Sequence, residues 1–151
     1  MLTATKVFQF DCAHMLSGHE GLCQNLHGHT YKLEVEAQAT TSSDVILEGP
    51  SAGMVVDFSD LKKIVKECIV DKYDHAFIYN YSSKDMCETQ LADTLKAYGK
   101  RVVDFPGRPT AENMCVEFLD VLSSTVRPLT FKITRIRVWE TQSSYAEVFA
   151  Q

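Results

Sequence analysis

The segment TYKLEVEAQAT, residues 30 to 40, constrains the possible folds of this chain more than any other. Every second residue in it is apolar and the residues between are mostly polar; the apolar positions are Tyr31, Leu33, Val35, Ala37 and Ala39. A period of two is typical of a β-strand that faces the core on one side and solvent on the other. Because this pattern is common in antiparallel sheets, the segment is predicted to be one strand of such a sheet.

Three further strands are predicted at residues 3–12, 131–140 and 144–150, where β-branched and aromatic residues are frequent. In the second of these segments the apolar phase slips between Ile133 and Ile136. Such a slip indicates a β-bulge, in which one strand carries an extra residue.

Apolar residues recur at helical spacing in three other segments. One helix is predicted over residues 60–72, with Ser59 as its cap, and a shorter one over 88–99. A third is expected to start after Thr110 and to end before Pro128, which cannot continue a helix. Strands and helices that do not alternate one by one predict a single α+β domain over residues 1–151.

Composition argues against several classes of function. The chain has 151 residues, 45% of them hydrophobic and 23% charged, as expected for one globular domain. Its net charge of −5 argues against nucleic acid as a partner, and no apolar run reaches the roughly 20 residues of a membrane helix. The start, MLTATKVFQF, lacks a signal-peptide pattern, and the five cysteines include no C-x-x-C pair. A reduced, cytoplasmic protein is expected.

The segment CQNLHGHTY, residues 23 to 31, places one thiol and two imidazoles at the start of the alternating strand. Residues two apart in a strand point to the same side, so His27 and His29 can face one point. A third imidazole, from His14 or His19, can join them if the first two strands pair, and spacing alone does not choose between the two. Three histidines with an open position are a ligand set of catalytic zinc, whereas structural zinc sites prefer closed, cysteine-rich sets.

Other polar residues carry candidate chemistry. Cys23 lies in a polar loop just before these histidines, which suits a reactive thiolate near a cation or a fourth metal ligand. By contrast, Cys68 and Cys115 fall in apolar helical patterns, where cysteine packs as a small hydrophobe. Asp74 can orient His75 for proton transfer near neutral pH, or it can simply cap a turn.

Six segments span nearly the whole chain, in the order FDCAHML, CQNLHGHTYKLEV, GMVVDFSDLK, YDHAFIYN, RPTAENM and VWET. Together and in this order they resemble the 6-pyruvoyl-tetrahydropterin synthase family. The resemblance implies a zinc enzyme that acts on a small molecule, 7,8-dihydroneopterin triphosphate. It also implies the T-fold, a four-stranded antiparallel sheet with two main helices on one face, in the order ββααββ.

The resemblance assigns the metal and the base. It implies that His14, His27 and His29 bind Zn²⁺, whereas His19 falls in a variable stretch and is not a ligand. It implies that Cys23 is the catalytic base.

The same resemblance assigns the remaining site residues. It implies that Asp74 and His75 form a catalytic proton relay. Glu140, in the segment VWET, is implied to hold the pterin ring, and Thr110 and Glu112 are implied to lie near the pterin pocket.

The gap between the thiol and the first histidine favours one branch of the family. Three residues separate Cys23 from His27, as in the bacterial branch that makes 6-carboxy-tetrahydropterin for queuosine biosynthesis. The expected products are 6-carboxy-5,6,7,8-tetrahydropterin, acetaldehyde and triphosphate. The alternatives are a 6-pyruvoyl-tetrahydropterin synthase, a related pterin aldolase, and a non-catalytic metal-binding protein with the same fold. The long loops at 41–53 and 81–108 leave the specificity for the substrate side chain open.

A single sheet of this kind has open edges, which favour pairing between copies. The resemblance implies that three copies close their sheets into a barrel and that two such trimers stack. A homohexamer with its sites between subunits is therefore expected.

Overall fold

The computed structural model describes residues 1–126 and 130–151. Within these residues the chain forms one six-stranded sheet with the strand order β4-β3-β1-β2-β5-β6. The strands are β1 (Ala4–His14), β2 (His27–Ala39), β3 (Ala76–Asn80), β4 (Val102–Phe105), β5 (Phe131–Trp139) and β6 (Tyr145–Phe149).

The four strands predicted from the sequence are confirmed and all pair antiparallel, β1 with β2, β2 with β5 and β5 with β6. The predicted bulge in β5 is also confirmed. Glu36 pairs with Arg135 and Ala37 pairs with Ile133, so Thr134 is the extra residue. Its hydroxyl donates to the Glu36 carboxylate over 2.9 Å, which gives the displaced side chain a partner.

The expectation of a purely antiparallel, four-stranded sheet in the order ββααββ is wrong in its details. In the described residues, β3 and β4 extend the sheet beyond β1, and both pair parallel to their neighbours. The first four residues of β3, AFIY, are all buried, because helices cover both faces of this strand. A strand buried on both faces shows no alternation, which explains why the sequence pattern did not reveal it.

Helices connect the strands. One continuous helical run consists of α1 (Phe58–Val65), a π-helical turn (Lys66–Val70) and α2 (Asp71–Tyr73). Two separate helices follow later in the chain, α3 (Met86–Ala97) and α4 (Ala111–Thr125).

The caps of these helices are side-chain oxygens. The cap of α1 is Asp57, which accepts from the Ser59 amide over 2.7 Å, so the prediction of Ser59 as the cap is wrong. Thr110 caps α4 as predicted and accepts from the Asn113 amide over 3.3 Å. The predicted stop at Pro128 lies outside the described residues.

The main core lies between one face of the sheet and the helices that pack on it. These helices are the run from α1 to α2 and helix α4. Phe10 and Tyr31, on neighbouring strands, stack with ring centroids 5.5 Å apart, and Phe118 of α4 packs edge-on against Phe10. Helix α3 packs on β3 and β4, where a smaller cluster contains Phe77 and Ala92. Within residues 1–126 and 130–151, no helix combines the length and apolar character needed to cross a membrane.

Candidate active site

Three histidines meet where β1 ends and β2 begins. The antiparallel register places His14 opposite His27 and Cys12 opposite His29, so these side chains share the core face of the sheet. The centroids of the imidazole rings are 4.6 Å apart for His14 and His27, 5.3 Å for His14 and His29, and 5.0 Å for His27 and His29. One ligand atom from each ring lies within 4.8 Å of the others. The structure thus groups His14, and not His19, with the His-x-His pair.

Backbone carbonyls orient two of the rings. Nδ1 of His14 is 2.7 Å from the carbonyl oxygen of Pro109, and Nδ1 of His27 is 2.7 Å from that of Asn25. Since a carbonyl only accepts, each Nδ1 carries the proton and each Nε2 presents a lone pair. The two Nε2 atoms face each other over 3.1 Å. Fixing the tautomer through the second ring nitrogen is a general feature of histidines that bind metals.

Burial favours the uncharged form of two of the three rings, His14 and His29. His14 is 0% exposed, and burial lowers its pKa below the ordinary value of 6.5, although the Pro109 carbonyl and the Glu140 carboxylate oppose the shift. Burial likewise lowers the pKa of His29. Neutral imidazole is the form that binds a metal ion, so the environment favours the ligating state.

The histidines fit a metal ion. Nε2 of His29 is buried and has no hydrogen-bond partner among the described residues, which is a costly arrangement unless something binds it. Two nitrogens held tetrahedrally at the usual zinc distance of about 2.0–2.1 Å lie about 3.3 Å apart. The separation of 3.1 Å between Nε2 of His14 and Nε2 of His27 is close to that value. A cation between the rings also removes the repulsion between their lone pairs.

Gly28 permits the close approach of the two strands. A Cβ atom at this position would lie 2.8 Å from the carbonyl oxygen of Cys12. That oxygen belongs to the backbone and cannot move away easily, so a larger residue would push β1 and β2 apart. The glycine between the two histidines therefore maintains the register that brings His14 beside His27.

Glu140 adjoins the histidines from the end of β5. Its Oε1 atom lies 3.8 Å from Nε2 of His14 and 3.7 Å from Nε2 of His29. Burial is the main cause of the raised pKa of the Tyr31 hydroxyl, and a hydrogen bond to the Glu140 carboxylate is a smaller cause. The side chain of Glu140 is about one-third exposed, so the carboxylate reaches from the buried histidines toward solvent.

Cys23 lies in the loop that joins β1 to β2, in a short turn over Leu22–Gln24. Its carbonyl oxygen accepts from the Leu16 amide over 2.8 Å, which ties the two sides of this loop together. The thiol is partly exposed, and it lies in the loop that leads to His27 at the start of β2.

A cleft of about 330 Å³ opens beside Glu140. Thr110 and Glu112, at the start of α4, line this cleft together with Glu140, so the three residues expected near the pterin pocket are brought together. His19 and Arg108 line it as well.

Asp74 and His75 lie apart from the histidine cluster in this chain. Asp74 accepts from the Asp11 amide over 2.9 Å and pairs with Nδ1 of His75 over 3.0 Å. These contacts hold the pKa of Asp74 below its usual value, with the Asp11 amide as the largest cause. The side chain of Asp11 bonds to Thr30, and residues 11 and 30 alternate with the core-facing positions of β1 and β2. Asp74 and His75 therefore adjoin the opposite face of the sheet.

His75 is 73% exposed at its side chain and has a positive φ of 59°. It opens onto a cleft of about 880 Å³, which includes Ala13 and Leu95 in its walls. In a single chain, this cleft leaves the imidazole facing solvent.

Sequence reasoning missed several residues of the site. The carbonyls of Asn25 and Pro109, which orient the rings, carry no side-chain signature at all. Tyr31 was predicted only as a core residue, yet its hydroxyl lies 3.4 Å from Nδ1 of His14. Arg108 had a visible signal, a basic residue next to the segment PTAEN, but its partners come from a distant loop.

Comparisons with known proteins show which family this chain resembles over nearly its whole length. The sequence pattern of the family described as 6-pyruvoyl tetrahydropterin synthase matches residues 3–151. A relative from Haemophilus influenzae, named 6-carboxy-5,6,7,8-tetrahydropterin synthase, is 44% identical over 147 residues, which are 97% of this chain and 98% of that protein. A relative of the same name from Rickettsia bellii is 30% identical and is covered over its full length, with 98% of this chain aligned.

Solved structures share the fold. An uncharacterised protein of Wolinella succinogenes superposes with a TM-score of 0.76 at 23% identity, covering 99% of this chain and 98% of its own. The 6-pyruvoyl tetrahydropterin synthase of Caenorhabditis elegans superposes with a TM-score of 0.66 at 21% identity, covering 99% of this chain and 96% of its own. At these identities the likeness concerns the fold alone.

Proposed function

The chain belongs to the 6-pyruvoyl tetrahydropterin synthase family, and we propose that it is a zinc-dependent lyase, a 6-carboxy-5,6,7,8-tetrahydropterin synthase. Its substrate is 7,8-dihydroneopterin triphosphate. With one water, this compound yields 6-carboxy-5,6,7,8-tetrahydropterin, acetaldehyde and triphosphate, so that atoms and electrons balance. The observation that carries the proposal is the convergence of His14, His27 and His29 beside Glu140, in a chain 44% identical to a relative of that name.

The metal is Zn²⁺, held by His14, His27 and His29. Neutral imidazoles in an open set of three suit this ion, and the unpartnered Nε2 of His29 supports it. When bound there, Zn²⁺ supplies a Lewis acid that lowers the cost of removing protons from the substrate side chain.

The protein residues position the substrate and move its protons. The Glu140 carboxylate accepts hydrogen bonds from the paired N–H groups of the pterin ring, a planar arrangement that a carboxylate matches well. Thr110 and Glu112 line the same cleft and border the ring. Cys23, as a thiolate, removes a proton from a side-chain carbon, and its position in the loop that leads to His27 supports this role.

His75, oriented by Asp74, carries the matching proton on the other side of the substrate. Because this pair adjoins the sheet face opposite to the histidines, it serves the metal centre of a second copy. We place it there in a homohexamer built as a dimer of trimers. The open edges at β4 and β6 support this assembly, since unpaired edges favour pairing between copies.

Mass spectrometry of the product formed from 7,8-dihydroneopterin triphosphate tests the reaction. We expect 6-carboxy-5,6,7,8-tetrahydropterin and acetaldehyde, and a variant with His27→Ala should form neither. A pyruvoyl-tetrahydropterin product would instead identify a synthase that only eliminates triphosphate. Absence of turnover by the metal-loaded protein would contradict the enzyme assignment.

A further inference from the structure

We infer that Arg108 and His19 form the binding site for the triphosphate group of the substrate, in the cleft that also contains Glu140. This inference rests on the proposed function, which supplies the triphosphate ester. The two residues come from different loops, Arg108 from the segment between β4 and α4 and His19 from the segment between β1 and β2. Both line the cleft that contains Glu140.

The loop between β1 and β2 fixes the position of the Arg108 guanidinium. Its Nη2 atom donates to the carbonyl oxygen of Ser17 over 2.7 Å. A Cβ atom at Gly18 would lie 2.8 Å from the same Nη2, and Gly18 has a φ of +81°, so both the space and the backbone there suit glycine. The guanidinium therefore lies directly against the turn at Ser17 and Gly18.

Most of the hydrogen-bonding capacity of Arg108 remains available. A guanidinium has five N–H donors, and the bond to Ser17 uses one of them. Arg108 is exposed and forms no ion pair within residues 1–126 and 130–151. A positioned, unpaired guanidinium with spare donors is well suited to bind phosphate oxygens in bidentate geometry.

His19 offers a second donor beside it. Its Nδ1 accepts from the Gly21 amide over 2.8 Å, so the proton of the neutral ring is on Nε2. The ring lies outside the metal cluster and lines the cleft. Nε2–H can therefore donate to an anion without competing with the three metal ligands.

Charge makes such a subsite necessary. The chain has a net charge of −5, and both Glu112 and Glu140 line the same cleft. A triphosphate needs a local cation to approach these carboxylates, and among the described residues that line this cleft Arg108 is the only lysine or arginine. With the ring donors at Glu140 and the phosphates at Arg108 and His19, a hydrogen-bond acceptor faces the neutral ring and a cation faces the anionic phosphates.

Inorganic triphosphate and the unphosphorylated 7,8-dihydroneopterin serve as separate probes. We expect Arg108→Gln to raise the KM for the triphosphate substrate and the inhibition constant of inorganic triphosphate by about 10- to 100-fold, in the range for losing a charged hydrogen-bond partner. The affinity for 7,8-dihydroneopterin should stay within about twofold of the wild type, because the ring is held elsewhere. His19→Ala should raise the inhibition constant of inorganic triphosphate by a smaller factor. Lys63→Gln, on the exposed side of α1, removes the same charge and serves as the matched control.

The possible outcomes separate this subsite from the proposed function. If the wild type does not convert the triphosphate substrate, the proposed function fails. Suppose that the wild type converts the substrate, and that neither Arg108→Gln nor His19→Ala changes the KM for the substrate or the inhibition constant of inorganic triphosphate. The subsite is then refuted while the proposed function stands. An equal loss of affinity for inorganic triphosphate and 7,8-dihydroneopterin would show that Arg108 acts only through the loop at Ser17, which also refutes the subsite. If Arg108→Gln does not fold, His19→Ala decides the question, because it leaves the Arg108–Ser17 bond in place.

Discussion

The two groups of proposed catalytic residues are built in opposite ways. The three histidines are partly or fully buried, and carbonyls that belong to the same chain orient two of the rings. His75 is mostly exposed and opens onto a wide cleft on the other face of the sheet. A single chain thus arranges the three histidines by itself, whereas it leaves the imidazole of His75 exposed to solvent. The difference suggests which functions should survive in isolated subunits and which should depend on assembly.

The largest expected effect is the loss of metal from the buried region. His27→Ala removes one of three ligands, so the metal content should fall from about one ion per chain to nearly none. His19→Ala should keep the metal, since His19 lies outside the cluster. Elemental analysis of the purified proteins measures both. Full metal content in both His14→Ala and His27→Ala would disprove the three-histidine site.

Removal of the proposed base should affect chemistry and spare the metal. Cys23→Ala is expected to lower kcat by about 10²- to 10⁴-fold, the usual effect of losing a general base. Its metal content and its affinity for 7,8-dihydroneopterin should stay normal. Cys87, exposed on α3, provides the matched control, whereas Cys12 is less suitable because it lies directly opposite His29. Loss of metal in Cys23→Ala would make this residue a ligand instead.

Mixed oligomers test whether the exposed pair serves a second copy. Cys23→Ala and His75→Ala should each be nearly inactive alone. If each site takes Cys23 from one copy and His75 from another, random reassembly of equal amounts should restore about a quarter of the wild-type activity. A mixture of Cys23→Ala with His14→Ala should stay inactive, since both changes affect the same copy's half of the site. Failure of the first mixture to recover activity, despite proven subunit exchange, would place the whole site in one chain.

The sequence predicted the positions of the paired histidines better than the surroundings of His75, for a physical reason. The His-x-His pair lies on a strand with clear alternation, so its face and its partner strand follow from the period of two. His75 precedes β3, a strand buried on both faces that shows no such pattern, so neither the strand nor the face of His75 followed from the residues. The roles of Glu140 and Cys23 came from resemblance, because contacts across the fold are not encoded in spacing.

Glu88 connects the loop that follows β1 to the end of β3 and gives a prediction of intermediate size. This buried residue of α3 accepts from the Ser17 hydroxyl over 2.6 Å and from the Asn80 amide over 3.1 Å. Glu88→Gln keeps the shape but replaces one acceptor oxygen with a donor, so the free energy of unfolding should fall by about 1–3 kcal/mol. Chemical denaturation of the metal-free protein measures this, with the exposed Glu48→Gln as the control. An unchanged free energy of unfolding in Glu88→Gln would mean that other contacts hold the loop at Ser17 against the end of β3.

The smallest expected effect is the pH dependence that burial gives to the metal-free protein. The pKa of His14 lies below 6.5 in the folded chain, chiefly because the ring is buried. Below about pH 6.5 the unfolded chain therefore binds a proton that the folded chain does not, and the free energy of unfolding falls as the pH falls. One such group contributes a slope of at most about 1.4 kcal/mol per pH unit. Denaturation between pH 7.5 and 5, with chelator present, should show a shallower slope in His14→Gln than in the wild type. Equal slopes would mean that the buried histidine is protonated as easily as in the unfolded chain, and the neutral cluster proposed as the metal site would then lack its electrostatic basis.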